Sequence, residues 1–330
     1  MSHPETTYAT AIRDGIAECM AADPLVFVAG EDVGAYGGVW RTFMGLHERF
    51  GDHRLVDTPI SEQAIVGLGV GAAIAGLRPV VDLMFCDFVA VAMDQIANQA
   101  AKMKYMFGGE ARLPLTITTW PGAGVGAAAQ HSQSLEAWLC HTPGLKVVMP
   151  ATPVDAKGLI ISAILDDNPV FFLGNKRLLG LTGPVPEGSY TVPLGQARIA
   201  RSGRDVTVVA LGAMVGEAEL AAEMLSVDGI DIEIIDPRTL EPFDTDTVVT
   251  SIKKTNRAVV VHEAVQSGGF GAEITSRIQE YAFDYLDAPI ERVGAPFTPV
   301  PFTPDLERLY VPDAARIAAA CRRTLARSGG

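Results

Sequence analysis

One acidic side chain, Glu62, stands near the start of an otherwise almost apolar stretch, Asp57 to Pro79 (DTPISEQAIVGLGVGAAIAGLRP). An unpaired carboxylate in apolar surroundings costs at least several kcal/mol, and the usual relief is a raised pKa that keeps a proton available for transfer. The plainer alternative is a first-turn glutamate on the surface that gains only from the helix dipole. His131 is a second candidate for proton work, at the end of the glycine-rich segment PGAGVGAAAQHSQSLEAW. It sits among small residues and hydroxyls, where a lone histidine is as readily a solvated surface group. Glu31 and Asp32, in GEDVG, read first as loop acids facing water, and Phe88 reads first as a core aromatic.

These residues need a scaffold that brings loops together. Ser61 is placed to cap a helix running through Ile65, Val66, Leu68, Val70 and Ile74. Gly67, Gly69 and Gly71 interrupt that helix at roughly 1 kcal/mol each against alanine, which predicts close approach of a neighbour. Tyr8 to Ala22 has the apolar spacing of an amphipathic helix, with Cys19 on its buried face. The short apolar runs LVFVA (25–29), RPVVDLMF (78–85) and LPLTITT (113–119) read as central strands, with a long helix from Ala90 to Met106 between the last two. GEDVG follows the first run, and the carboxyl ends of parallel strands are where ligands bind in such sheets. This alternation predicts a parallel α/β domain. Prolines and glycines from Leu179 to Pro193 mark a boundary, after which DVTVVALG (205–212), IDIEIIDP (230–237) and RAVVVHEA (257–264) begin a second α/β pattern.

The formal net charge of -13 argues against a nucleic-acid binder. Four scattered cysteines, Cys19, Cys86, Cys140 and Cys321, form no CxxC pair and suggest neither a zinc site nor a disulfide framework. No apolar run reaches the ~20 residues that span a bilayer, and the first twenty residues carry acids in place of a signal core. A soluble, cytoplasmic protein is expected. Gly122, Gly124 and Ala127 satisfy the G-x-G-x-x-[GA] pattern of dinucleotide sites. So do Gly67, Gly69 and Ala72, and no acidic residue ends the strand Lys146 to Met149, where a ribose partner belongs.

Long motifs then coincide in order: GEDVG, DTPISE, AAQHSQ (128–133), PGLKVVMPATPVDAKGL (143–159) and HEAVQSGGFGAEI (262–274). Over nearly its whole length the chain resembles the β subunit of the thiamine diphosphate-dependent 2-oxo acid dehydrogenases, the first component of the pyruvate, branched-chain and acetoin dehydrogenase complexes. The resemblance implies a transketolase-like pyrimidine-binding domain over 1–180, a linker over 181–200 and a transketolase C-terminal domain over 201–330. It places Glu31, Ile60, Glu62 and Phe88 at the cofactor, with Glu62 on the pyrimidine ring nitrogen and Phe88 packed against the ring. His131 lines the mouth of the site and assists acyl transfer to the lipoyl group. Some family members bind a structural potassium ion at the positions of Leu115, Ala163, Ile164, Asp166 and Asn168. From the residues alone, AILDDNP (163–169) is sufficiently explained as a helix end running into an Asx turn.

Single-chain thiamine diphosphate enzymes hold the diphosphate through magnesium bound by a G-D-G motif. This sequence has none; Gly51, Asp52 and His53 come nearest. The resemblance therefore implies an α subunit that holds the magnesium, an α2β2 assembly, and attachment to a lipoyl acyltransferase core. Two alternatives stay open: an NAD-dependent dehydrogenase, and a non-catalytic structural homologue.

Overall fold

A computed structural model describes residues 3–326. They form two compact units, residues 3–121 with 138–194, and residues 122–137 with 195–326. The glycine-rich segment thus belongs to the second unit, although the chain order puts it inside the first.

The first unit holds strands β1 (Glu5–Thr7), β2 (Val26–Gly30), β3 (Leu55–Asp57), β4 (Arg78–Phe85), β5 (Thr116–Trp120), β6 (Lys146–Val148), β7 (Val170–Leu173) and β8 (Thr182–Pro184). Its six central strands run in the order β6-β7-β5-β4-β2-β3. All of their pairings are parallel. Such a sheet is covered on both faces, and this is why its strands read as unbroken apolar runs. Helix Tyr8–Ala22 begins at Thr7, whose hydroxyl accepts the Thr10 N–H. It packs on helix Pro153–Leu165 so closely that a Cβ on Gly15 would lie 2.7 Å from Ile160. β1 and β8 form a separate antiparallel pair.

The long helix expected from Ala90 to Met106 is helical throughout, but in pieces. Val89–Asp94 and Ala101–Met106 flank a π-helical turn, Gln95–Ala100. π-turns inside helices occur frequently at functional sites. Here Gln95 reaches back toward the site helix, its Oε1 being 3.4 Å from where a Gly67 Cβ would stand.

The second unit carries β9 (Arg198–Arg201), β10 (Val206–Ala210), β11 (Ile232–Asp236), a short β12 (Thr239–Glu241), β13 (Ala258–Val265) and β14 (Glu291–Ala295). Its five-stranded sheet runs β14-β13-β10-β11-β9, with only β9 antiparallel. Helices Met214–Ser226, Thr245–Thr255, Phe270–Ala282 and Ala314–Ala326 complete the α/β alternation. His262, in the middle of β13, is wholly buried, and its ring fills the space left by missing side chains at Gly269, Gly271 and Gly294. Burial drives its pKa down to about 4, and the Arg292 charge adds to that. The glycines of HEAVQSGGFGAEI therefore seat a neutral core histidine.

Candidate active site

Glu31 and Glu62 come together at the carboxyl ends of β2 and β3. Gly30 pairs with Asp57 on one side and Asp82 on the other. Two bonds fasten the GEDVG and DTPISE loops: Gly34 N–H donates to Asp57 Oδ1 at 2.6 Å, and Thr58 N–H donates to the Gly30 carbonyl at 2.9 Å. A Cβ at Gly34 would come within 2.5 Å of that carboxylate, so this glycine is required by close approach. Burial, then the charges of Asp32 and Glu62, raise the pKa of Glu31. Glu31 and Glu62 therefore share one electrostatic neighbourhood.

Glu62 is the first residue of helix Glu62–Ile74 and is half-buried, rather than enclosed in apolar surroundings as its sequence context predicts. Ser61 occupies the N-cap position but makes no side-chain cap bond, which corrects the capping role expected of it. Its backbone (φ -167°, ψ 73°) follows the turn out of DTPI. Ile60, just before it, is 74% exposed. The three helix glycines serve different ends. A Cβ on Gly69 would meet Leu115 at 2.8 Å and Val81 at 3.0 Å, whereas one on Gly71 would meet nothing within 4 Å. Close packing holds at Gly69, and Gly71 opens outward.

Phe88 owes its place to a break in β4. The register slips between Asp82 and Phe85, and Met84 has a φ of 51°, which a side-chain-bearing residue rarely adopts. Beyond the bulge, Phe85 packs edge-on against Phe88 (centroids 6.2 Å apart) and against Trp40 (5.1 Å), which lies 5.9 Å from Trp120. The buried Lys176 ammonium sits 5.2 Å from the Phe85 centroid. Phe88 is half-buried at the end of this cluster.

Asp82, on the same strand, is a residue that the apolar-strand reading passes over. It is almost wholly buried, accepting from the Thr118 hydroxyl at 2.6 Å, the Trp120 indole at 3.4 Å and the Met84 N–H at 3.3 Å. Burial pushes its pKa up to about 6 against those bonds. A single carboxylate inside RPVVDLMF is the signal that marks it.

His131 lies in the second unit, half-buried on a turn in which Ala128 has a φ of 61°. The glycine segment before it is held by carboxylates. Ala123 N–H donates to Glu263 at 2.9 Å, Gly124 N–H to Glu307 at 2.7 Å, and Gly126 N–H to both Glu307 oxygens at 3.2 and 2.9 Å. A phosphate cradle needs these donors turned toward the ligand, and here two acids take them. This geometry removes the dinucleotide reading of Gly122, Gly124 and Ala127. Burial raises the Glu136 pKa to about 7, a rise that its own backbone N–H opposes and the Glu263 charge reinforces. Beside the loop, Gln133, Ser134, Leu135, Phe297, Val300 and Tyr310 border a cavity of 440 Å³ within this unit.

The positions assigned to potassium carry other donors. The Leu115 carbonyl accepts from Val170 N–H, and that of Ala163 from Asp166 N–H. The carbonyls of Ile164 and Asp166 accept from the Arg78 guanidinium at 3.0 and 3.3 Å. Lys146 pairs with the Asp166 carboxylate, and Lys104 donates to Asn168 Oδ1 at 2.8 Å. Each of these carbonyls keeps a further lone pair, so the turn retains oxygen ligands of the kind a potassium ion takes.

Comparison with known proteins finds two families in succession along the chain. Residues 5–182 match the family described as transketolase, pyrimidine binding domain, and residues 195–317 match transketolase, C-terminal domain. The chain is 50% identical over 325 residues to the acetoin:2,6-dichlorophenolindophenol oxidoreductase subunit beta of Cupriavidus necator, covering 96% of each chain. It is 47% identical to the pyruvate dehydrogenase E1 component subunit beta of Rickettsia felis, covering 97% of this chain and 98% of that one. Among solved structures, a split-gene transketolase described as an inactive beta4 tetramer superposes with a TM-score of 0.78 at 24% identity, over 98% of this chain and 99% of the other, a likeness of fold. Among the described residues, no helix is long and apolar enough to cross a membrane.

Proposed function

We propose, from the premise that this chain belongs to the family of β subunits of the pyruvate and acetoin dehydrogenase first component, that it supplies the aminopyrimidine half of a thiamine diphosphate site in an α2β2 assembly. The observation that carries this reading is the Glu31–Glu62 carboxylate pair at the β2 end, with Phe88 held out by the β4 bulge and Ile60 left in solvent beside the helix start. These groups suit a flat, basic heterocycle: a carboxyl for a ring nitrogen, an aromatic face and an aliphatic side chain for the ring.

Thiamine diphosphate, when bound, supplies the carbanion chemistry by which a 2-oxo acid is decarboxylated or acetoin is cleaved. Glu62 holds or moves a proton at the pyrimidine ring nitrogen. Glu31, kept more readily protonated by burial and by its acidic neighbours, limits the charge at that end of the site. Phe88 and Ile60 exclude water from the ring. The diphosphate and its magnesium are left to the α subunit, and His131 serves acyl transfer to lipoamide at the site mouth. The assembly attaches to a lipoyl acyltransferase core and works in the cytoplasm.

The test is reconstitution with an α subunit, thiamine diphosphate and magnesium, followed by lipoamide reduction. In that assay His131→Ala is expected to lower lipoamide reduction about 100-fold, the scale of lost proton-transfer assistance. Cofactor affinity measured on the same sample should change by less than about tenfold, or 1.4 kcal/mol. Equal losses in the two readouts would move His131 to the cofactor itself.

The outward face of helix Glu62–Ile74 supports the α-subunit contact. Leu68 and Ile74 are each 44% exposed and Val91, on the next helix, 53%, with Gly71 open between them. An apolar, glycine-bearing helix face of this kind fits a second helix at close range. Gly71→Leu should leave the chain folded, because no atom stands in the way, and should weaken association with the α subunit about 10- to 100-fold by blocking that approach. Analytical ultracentrifugation of the mixed subunits reads the loss. Undiminished assembly would put the α subunit on another face.

A further inference from the structure

Helix Pro304–Tyr310, in the second unit, buries the opposite of what its composition favours. Leu306 is 55% and Leu309 75% exposed, whereas Glu307 is 4% exposed. Core packing alone would bury the leucines and leave the glutamate in water. A buried carboxylate is costly unless hydrogen bonds replace its water, so the reason for this orientation lies in what the Glu307 side chain meets.

It meets the glycine segment. Gly122, Gly124, Gly126 and Ala128 have φ of 106°, 94°, 71° and 61°, and the residues between them stay out of the left-handed region. Alternation of this kind turns backbone N–H groups toward one side and forms a concavity that suits an anion. The Glu307 carboxylate fills it: Gly124 N–H donates to Oε1 at 2.7 Å, and Gly126 N–H to Oε1 and Oε2 at 3.2 and 2.9 Å. Glu263, from β13, accepts the Ala123 N–H at 2.9 Å and holds the start of the segment, so Glu307 holds the part nearer His131. Beyond Gly126 the chain makes one further turn, in which the His131 N–H donates to the Ala128 carbonyl at 3.4 Å. Bonds from backbone N–H groups to a carboxylate are roughly twice as strong as neutral ones. From Gly122 to Ala129 every residue but Val125 is glycine or alanine, so this stretch has little side-chain packing of its own and takes its shape from those bonds.

We propose that Glu307 is a positioning residue for acyl transfer to lipoamide: its carboxylate fixes the glycine segment, and the fixed segment sets the turn that carries His131. This rests on the role given to His131 above. Glu307 acts through the backbone and takes no part in proton transfer itself.

The test uses the complex reconstituted with Glu307→Gln, which keeps the size of the side chain, removes its charge and sets an amide NH2 against the glycine N–H groups. Hydrogen exchange read by mass spectrometry should be about 10- to 100-fold faster in peptides spanning 122–131 and unchanged elsewhere. Lipoamide reduction should fall by about 10- to 100-fold, the cost of a displacement on the ångström scale. Reduction of a dye, which receives no acyl group, should stay close to that of wild type. In a His131→Ala background, Glu307→Gln should lower lipoamide reduction by less than about twofold further, because the two changes remove one shared contribution. If Glu307→Gln does not assemble, Glu307→Asp carries the same comparison, keeping the charge on a shorter stem. Unchanged exchange over 122–131, or exchange raised throughout the second unit, would overturn the brace. Equal losses with dye and lipoamide, or losses additive with His131→Ala, would overturn the positioning role. Full lipoamide reduction by His131→Ala marks failure of the His131 reading and takes the acyl-transfer role with it, while a rise in exchange confined to 122–131 still upholds the brace.

Discussion

Replacing Glu62 by glutamine in the assembled complex is expected to slow exchange of the thiazolium proton for deuterium by roughly 100- to 10,000-fold, the usual worth of positioned acid-base assistance. Glutamine keeps the length and can still donate a hydrogen bond to a ring nitrogen, so cofactor binding should largely survive. It cannot exchange a proton with that nitrogen. The structure sharpens the expectation through Glu31, whose pKa is raised partly by the Glu62 charge. In Glu62→Gln that charge is gone, and Glu31 should ionise more readily. Its carboxylate could partly offset the loss, which favours the lower end of the range. Glu31→Gln combined with Glu62→Gln would then lose more than Glu62→Gln alone. Quenched-flow NMR of bound cofactor reads both variants, and exchange at the wild-type rate in Glu62→Gln would leave the glutamate as a helix-start residue only.

The elements that hold this site could be read locally, because their signals are local. Tyr8, Ile12, Ile16 and Met20 recur at helical spacing, and they are the buried face of helix Tyr8–Ala22. RPVVDLMF is apolar because β4 is covered on both faces, and its ends coincide with the expected ones. The shape of the site was not legible in this way, since it depends on contacts distant in sequence. Met84 has no composition that announces a φ of 51°; the register shift there lies in the pairing with β5. Gly69 and Gly71 look alike in sequence, yet only Gly69 faces Leu115 and Val81. The acids that occupy the glycine-segment N–H groups come from 140 and 183 residues further along, so a phosphate-loop spacing could not be told from a carboxylate-braced turn. Arg78 reaches carbonyls 86 and 88 residues away that carry no side-chain signature at all. The cofactor and transfer roles given to Glu31, Ile60, Glu62, Phe88 and His131 come from long motifs shared with a family rather than from spacing.

The chain without its partner is expected to turn over no 2-oxo acid or acetoin, even with saturating thiamine diphosphate and magnesium, and to gain activity when an α subunit is added. The physical reason is the division of the cofactor between two kinds of recognition. In the proposed half-site Glu31, Glu62, Phe88 and Ile60 would address a ring; none of them is a cation that would hold a diphosphate. The glycine-rich segment around Gly122–Ala127 has its N–H groups bonded to Glu263 and Glu307, and those carboxylates would repel a diphosphate placed there. Ring contacts alone leave the charged end of the cofactor unanchored, and a reacting carbon displaced by even about 1 Å costs on the order of 100-fold in rate. Losing the anchor altogether should cost far more, leaving turnover at background. The measurement is lipoamide or dye reduction by the chain alone, by the α subunit alone and by the two mixed at increasing ratio, with activity rising to a plateau near equimolar. Sustained turnover by this chain alone would mean that it holds the diphosphate itself, and the half-site reading would fail with it.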